Sequence, residues 1–449
     1  LTIKSFSMAS AKRLIKKAPS FIQRAYYSLV PFGKRYGKEY VKWNAFLKST
    51  LTYSRKELKE YQFYQLQKTL ANAYDNVPYY HKLMLDYGVK RIISSPSDVS
   101  KLPILTKKLV KDNWNDLINK RYNGKPILFK TSGSTGEKFQ FLGDDNLYKR
   151  EAAFVHRAFY LHGAILYGER TVWIRRYAPK PGDPISYTDY ELNRTYLSPF
   201  NVSIDTIEDY VKEINRTKAK TLVTYPSLAN FMATIMKEKG LVFDHILSIH
   251  CASEMVLPEW RKNVKESIGI DLYAHYGMME KVSFFCNTVH DDRYAENIEY
   301  GYTEIIDGEV IGTGFLNDVM PLIRYSPGDK AITLDSEENF LSLPITVKDF
   351  IGRSTDMIET NDGRKLAGVN FYTMMYKIPG VKMFQIIQKT LDDIVVEYIP
   401  SDKYKEYSTE KKIIEGMLDR IGNCNLKIKK VDNLKRSTTG KFKTIKSEL

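Results

Sequence analysis

The chain runs to 449 residues with 43% hydrophobic and 27% charged side chains, a soluble composition long enough for two or three domains and a sizeable core. No apolar run reaches the roughly 18 residues of a membrane-spanning helix, and no apolar leader with a cleavage site opens the sequence. Three scattered cysteines (Cys251, Cys286, Cys424) are too few for a disulfide framework, so a reducing, cytoplasmic setting is expected.

Net charge is +15, and its placement matters more than its size. Residues 1–50 hold eleven Lys/Arg against the single acid Glu39, so they supply +10 of it. This argues against nucleic acid as the main partner, because the remainder is nearly balanced. Residues 10–17 and 20–30 read as basic amphipathic helices mixed with Leu14, Phe21, Tyr26, Tyr27 and Leu29. Two readings stay open: an arm packing on the body by its apolar face, or peripheral contact with an anionic membrane at its inner face.

Helical text continues from Arg55 to Tyr74, broken at Asn76-Val-Pro78, and Thr106 is placed to cap a helix from Lys107 to Ile118. Pro126 to Phe129 reads as a strand. It leads into Thr131-Ser-Gly-Ser-Thr-Gly136, where four hydroxyls and two glycines make an anion cradle. This is not a Walker A loop, which needs Gly-x-x-x-x-Gly-Lys-Ser/Thr. A helix follows from Asp144 to Leu161, then a strand at Thr171–Ile174, then a Pro-rich loop from 178 to 203.

Strands at 221–225, 246–252 and 271–276 alternate with helices opened by Pro226 and Pro258. That pattern implies a parallel sheet with right-handed crossovers, whose ligands sit beyond the C-terminal strand ends. Those ends are Tyr225, Ser253-Glu254 and Tyr276-Gly277. From about 297 the text suggests a smaller antiparallel sheet or barrel, and from about 352 a separate α+β unit. His250, Cys251, Cys286 and His290 are too irregularly spaced for a metal motif, and structural or incidental roles are expected of them.

Five motifs fall in order: Thr131–Gly136, Tyr276-Gly-Met-Met-Glu280, Arg324-Tyr-Ser-Pro-Gly-Asp329, Gly352-Arg353 with Asp356, and Thr439-Gly-Lys441. Together they resemble the adenylate-forming (acyl-AMP-forming) ligase superfamily over roughly residues 75–449. Within it, Asn317 to Tyr325 and the short C-terminal unit look like the phenylacetate–CoA ligase branch and its capsular-polysaccharide relatives. The resemblance implies an α/β fold with parallel βαβ units, a small β-barrel and a mobile C-terminal domain. The expected divisions are 1–74 for the basic arm, 75–351 for the adenylation core and 352–449 for the catalytic-lysine domain.

It also implies ATP-dependent activation of a carboxylic acid, with acyl transfer to CoA or an amine, in surface polysaccharide or related synthesis. The expected cofactors are ATP and Mg²⁺, with CoA as one candidate acceptor. Thr131, Ser132, Gly133, Ser134, Thr135 and Gly136 would hold the departing pyrophosphate. Glu280 would hold Mg²⁺, Asp329 the ribose hydroxyls, and Ser253, Glu254, Tyr276 and Gly277 the adenine. Arg353 would reach ribose or phosphate, and Lys441 would bring a cation to the reacting oxygens. The acid pocket would draw on His156, Phe159, Arg175, Arg176 and Tyr225, the paired arginines suiting a second anionic group.

Plainer alternatives stand beside these: Glu280 in a surface pair with Lys281, Asp329 as a turn residue, Thr439–Lys441 as a solvated tail. Met279, Thr355 and Glu137-Lys138 depart from the superfamily's usual pattern, which bears on the hinge and the substrate more than on the chemistry. Competing functions are a catalytically silent binding protein of this fold and a basic membrane-surface adaptor.

Overall fold

The computed structural model describes residues 14–131, 139–163, 168–180, 182–288, 291–333, 345–351, 357–367, 371, 374–375, 378–436, 440 and 442–449. Residues 14–17 and helices Ser20–Leu29, Phe32–Tyr36 and Lys38–Ser49 come first. They bury Tyr27, Tyr36, Tyr40 and Leu47 and leave Leu14, Phe21 and Leu29 exposed. The aromatic face therefore packs on the body: Tyr36, Tyr40 and Leu47 share a core with Phe141, Phe154 and Phe284. A buried ion pair fastens the same junction. Arg157 donates to both Glu299 oxygens at 2.6 and 3.0 Å, and Thr50 Oγ1 donates to Glu299 at 2.6 Å.

Helix Arg55–Asn76 starts at a capping box, with Ser54 Oγ accepting from Glu57 N at 3.3 Å and the Glu57 carboxylate accepting from Ser54 N at 2.7 Å. Pro78 ends that run and opens Pro78–Asp86 at its first position. Thr106 caps the next helix by accepting from Leu109 N at 3.3 Å, but the helix stops at Asp112 instead of Ile118. Asn113 follows it: its backbone N–H and its side chain both donate to the Leu109 carbonyl, at 3.0 and 2.9 Å, and the chain continues as a turn.

Strands β1 (Ile127–Lys130) and β2 (Gln140–Gly143) pair antiparallel, so the hydroxyl-rich stretch joins the arms of a hairpin. A further sheet has twelve strands. These are β3 (Thr171–Ile174), β4 (Ser186–Asp189), β5 (Arg194–Leu197), β6 (Thr221–Thr224), β7 (Ser248–Ala252), β8 (Asp271–Gly277), β9 (Phe284–Asn287), β10 (Tyr294–Glu296), β11 (Gly301–Ile306), β12 (Glu309–Gly314), β13 (Lys330–Thr333) and β14 (Thr346–Ile351). Their lateral order is β11-β12-β13-β14-β10-β9-β8-β7-β6-β3-β5-β4. The run β5–β3–β6–β7–β8 is parallel.

One expectation changes: the Pro-rich stretch 178–203 contains the β4–β5 edge hairpin. The antiparallel strands expected after 297 are present, and they continue the parallel sheet through β9, β10 and β14.

Beyond these lie the pair β15 (Met357–Glu359) and β16 (Lys365–Ala367) and a four-stranded sheet of β17 (Val381–Gln388), β18 (Asp393–Pro400), β19 (Asn425–Lys430) and β20 (Ile445–Ser447). Its order is β19-β18-β17-β20. Helix Glu406–Ile421 covers it, placing Ile413 and Met417 in one core with Phe384, Ile386 and Val396. Among the described residues, no helix is long and apolar enough to cross a membrane.

The parallel register sets two faces. Val172, Leu222, Ile249 and Leu272 align on one face, in a core with Tyr210, Met232 and Met236. Trp173, Val223, His250 and Tyr273 align on the other, with His275 one step further along β8. Helix Leu147–Gly163 covers that second face: Phe159 packs on His250 and His162 stacks on Tyr273.

Candidate active site

Ser132, Gly133, Ser134, Thr135, Gly136, Arg353 and Lys441 lie outside the described residues. The root of the hydroxyl-rich stretch is described: Thr131 N donates to Phe139 O at 2.9 Å. Phe139 stacks on Tyr325 at 5.5 Å between ring centroids, and the Tyr325 hydroxyl donates to Glu280 Oε1 at 3.0 Å. Asn317 Nδ2 donates to Leu142 O at 2.8 Å and Met320 O at 3.0 Å, tying β2 to the segment that carries Tyr325. Arg324 anchors that segment by pairing with Glu304 at 2.9 Å.

Glu280 is 2% exposed, and Lys281 pairs with Glu151 at 2.6 Å. Glu280 is thus no surface ion-pair partner of its neighbour. A buried carboxylate needs compensation, and among the described residues only the Tyr325 hydroxyl bonds to it. A single buried carboxylate linked through Tyr325 to the root of the hydroxyl-rich stretch has the donor chemistry that would suit Mg²⁺, which takes one or two carboxylates and completes its shell with water and phosphate oxygens.

Asp329 follows the turn at Gly328, whose φ is 81°, and its Oδ2 accepts from the Tyr276 hydroxyl at 3.0 Å. One face of the Tyr276 ring lies on Phe350, 3.8 Å between centroids and 7° from parallel. Gly277 ends β8 beside Phe284, where an added Cβ would stand 3.2 Å from the ring. Ser253 leaves β7 with φ 75°, and its Oγ accepts from Arg175 Nη2 at 2.8 Å. Arg176 (58°), Lys281 (59°) and Arg324 (50°) are also left-handed. Each such residue costs about 1–2 kcal/mol. Their position at or beside the motifs marks a strained rim around the site.

Glu254 faces the C-terminal segment. Its Oε2 accepts from Ser227 N at 3.2 Å, at the N-terminus of helix Pro226–Lys239, and its Oε1 accepts from Phe442 N at 2.6 Å. Burial pushes its carboxyl pKa up, opposed by Arg436 and these donors. Arg436 Nη1 donates to Ser227 Oγ at 3.3 Å, and the Arg436 backbone forms an antiparallel bridge with Phe442. Gly440 has φ 84°, and a Cβ there would meet Pro199 Cγ at 2.6 Å and Tyr225 at 3.4 Å. Glycine at 440 is therefore a packing requirement.

The expected acid-pocket residues separate. Arg175 is 8% exposed, with its guanidinium 4.8 Å from the Tyr225 ring centroid, whereas Arg176 is exposed. Phe159 meets His250 at 4.5 Å. His156 faces the N-terminal helices: its Nδ1 is 2.5 Å from the Tyr40 hydroxyl and its Nε2 is 3.4 Å from Arg194. Burial, with Arg194 beside it, pushes His156 down to about 3, so it is a neutral ring in an aromatic cluster with Phe32, Tyr36 and Tyr40. Sequence reasoning gave no role to Tyr325, Arg436 and Phe442. Tyr325 lies inside the Arg324–Asp329 motif, whereas Arg436 and Phe442 only flank Thr439–Lys441.

The fold is shared with solved acid–CoA ligases. A 2-hydroxyisobutyryl-CoA ligase, solved in the postadenylation state with R3-HIB-AMP, matches with a TM-score of 0.64 at 15% identity, over 86% of this chain and 89% of that one. The same ligase with 2-HIB-AMP and CoA, in its thioesterification state, matches at 0.54 with 15% identity, over 88% and 91%. A more particular relationship appears in the sequence. Residues 358–448 match the CapK C-terminal domain. Protein CapK of Staphylococcus aureus is 24% identical over 359 residues, 77% of this chain and 79% of CapK.

Proposed function

We propose that this chain activates a carboxylic acid with ATP as an acyl-AMP, releasing pyrophosphate, and then transfers the acyl group. The observation that carries the reading is the convergence at the strand ends. Glu280 and the root of the hydroxyl-rich stretch meet around Tyr325, and Asp329 is held by Tyr276 nearby in the chain. In this reading a carboxylate oxygen attacks the α-phosphorus and the bond to pyrophosphate breaks. That step asks for positioning and charge neutralisation more than covalent help.

Residues 131–136 hold the β- and γ-phosphates, and Asp329 takes the ribose hydroxyls. Ser253, Tyr276 and Gly277 frame the adenine, with Glu254 beside them. Glu280 holds Mg²⁺, which when bound offsets the phosphate charge. Arg353 reaches ribose or phosphate, and Lys441 brings a cation to the reacting oxygens. Gly440 and Phe442, the sequence neighbours of Lys441, both seat against the core, which supports that role. Residues 352–449 then rotate for acyl transfer. The solved neighbours named as CoA ligases favour CoA as acceptor, with an amine as the other candidate. A surface-polysaccharide setting rests on the resemblance and on the relationship to CapK.

Acid-dependent pyrophosphate release tests the reading. It should require ATP, Mg²⁺ and an acid, and should fall at least 100-fold in Glu280→Gln, on the order expected when a buried charged contact is lost. Release equal to wild type in Glu280→Gln would contradict it.

A second reading concerns location. Leu14, Phe21 and Leu29 are exposed beside exposed Lys17 and Arg24. That combination supports a cytoplasmic protein in peripheral contact with an anionic membrane surface.

A further inference from the structure

In the parallel part of the sheet, only one face is apolar in the usual way. Strands buried on both faces normally read as continuous hydrophobic runs. Between helix Leu147–Gly163 and the sheet, the layer instead holds His162 of the helix with His250, His275 and Arg175 of the sheet side. His250 is 1% exposed, His162 7% and Arg175 8%. His162 Nδ1, His250 Nε2, His275 Nδ1 and Arg175 Nε are all buried without a hydrogen-bond partner among the described residues. Each such group costs about 1–3 kcal/mol when left unmade. Folded proteins rarely leave several together without water or a ligand to meet them.

The cluster is continuous. His162 lies 5.3 Å from His250 and stacks on Tyr273 at 4.2 Å, ring centre to ring centre. His162 Nε2 is 2.7 Å from Asn287 O. A carbonyl only accepts, so Nε2 carries the hydrogen and Nδ1 is a bare acceptor. Burial pushes His162 down to about 4 and His275 to about 3, and holds His250 well below its ordinary value. The three rings are therefore neutral donors and acceptors. Arg175 contacts the neutral Ser253 hydroxyl and the Tyr225 ring, and no carboxylate pairs with it among the described residues. The layer adjoins the expected nucleotide residues: His275 precedes Tyr276 on β8, and Arg175 Nη2 donates to Ser253 Oγ at 2.8 Å.

We infer that this layer receives the carbon skeleton of the acid and is built for a hydroxylated carboxylic acid, not an aliphatic or aromatic one. The inference rests on the acid-activation reading. Hydroxyls along the acid can donate to His162 Nδ1 and accept from Arg175 or an imidazole N–H. An alkyl or aryl group would leave all four nitrogens unmet, and an ammonium group would meet the Arg175 charge.

The test pairs acids of matched length: glycerate with propionate, gluconate with hexanoate, and benzoate and phenylacetate alongside. Full-length protein is assayed for pyrophosphate release, and acid binding is measured separately by calorimetry. The hydroxylated member should win by about 100-fold or more in kcat/KM, as expected of a site that hydrogen-bonds its substrate. His250→Phe and His275→Phe should shrink that ratio at least tenfold without changing ATP binding, and His250→Gln should restore part of it. A ratio near one, a preference for the aliphatic or aromatic acids, or an unchanged ratio in both Phe variants would overturn the inference. If no acid releases pyrophosphate, the activation reading fails and calorimetry decides this one. Gluconate or glycerate binding that is lost in His250→Phe sustains it, and no binding overturns it.

Discussion

Replacing Gly440 by Ala should separate seating of the C-terminal segment from nucleotide binding. Gly440 has φ 84°, and the added methyl would stand 2.6 Å from Pro199 Cγ, an atom fixed in a ring. The left-handed backbone costs about 1–2 kcal/mol for a non-glycine residue. Overpacking against a rigid neighbour adds about 1–3 kcal/mol. If adenylate formation needs the seated segment, about 2–5 kcal/mol lowers its rate roughly 30-fold to a few thousand-fold. ATP–pyrophosphate exchange reads the loss, and ATP affinity by equilibrium dialysis should stay within about threefold, since the contact is not to nucleotide. Gly422→Ala is the control: its φ is 83° with nothing within 4 Å, so it bears only the backbone cost. It should lose stability and keep exchange. Exchange at the wild-type level in Gly440→Ala, or equal loss in Gly422→Ala, would refute the reasoning.

Arg157→Met leaves Glu299 buried and unpaired, and should cost about 3–5 kcal/mol in denaturant unfolding. A loss below about 1 kcal/mol would show that the pair does not tie the N-terminal helices to the core. Burial pushes Glu296 up to about 7 from an ordinary 4.5. Between those values the folded carboxyl keeps a proton that the unfolded chain has released, so its contribution to stability declines as pH rises through that window. Glu296→Gln should therefore stabilise the protein at pH 8 by at most a few kcal/mol and have little effect at pH 4, read from unfolding midpoints. The opposite pH trend would contradict the assignment. On membranes, Phe21→Ser with Leu29→Ser should reduce co-sedimentation with phosphatidylserine vesicles severalfold. Equal sedimentation of the variant, or no wild-type binding, would remove the membrane contact.

The parallel core was legible because its alternation is unambiguous. Proline opens the helices at 226 and 258, Gly240 and Gly269 end them, and short apolar strands lie between. The β4–β5 hairpin was not, since Ser186-Tyr-Thr-Asp and Arg194-Thr-Tyr-Leu carry little apolar text and sit among prolines. Attachment of the later antiparallel strands to the main sheet depends on β9 and β10, segments of four and three residues that no local pattern announces. In the site, Glu280 and Asp329 stood out as motif carboxylates, but their pairing with Tyr325 and Tyr276, 45 and 53 residues away in the chain, shows only in the fold. His156 looked like a pocket residue by its helix position. The register of that helix turns it toward Tyr40 and presents Phe159 and His162 to the sheet instead. The polar face was written in Ser248-Ile-His-Cys-Ala252 and Asp271-Leu-Tyr-Ala-His275 as strict alternation. Its meaning needed the neighbouring strand and the covering helix.

The central claim is that the chain forms an acyl-adenylate with Lys441 as the cation at the reacting oxygens. ATP–pyrophosphate exchange in wild type and Lys441→Ala, with ATP binding measured in parallel, tests it most directly. The account predicts acid-dependent exchange in the wild type, its loss in the variant, and measurable ATP binding in both. Wild-type exchange in Lys441→Ala, or ATP binding with no exchange for any acid in the wild type, would contradict it.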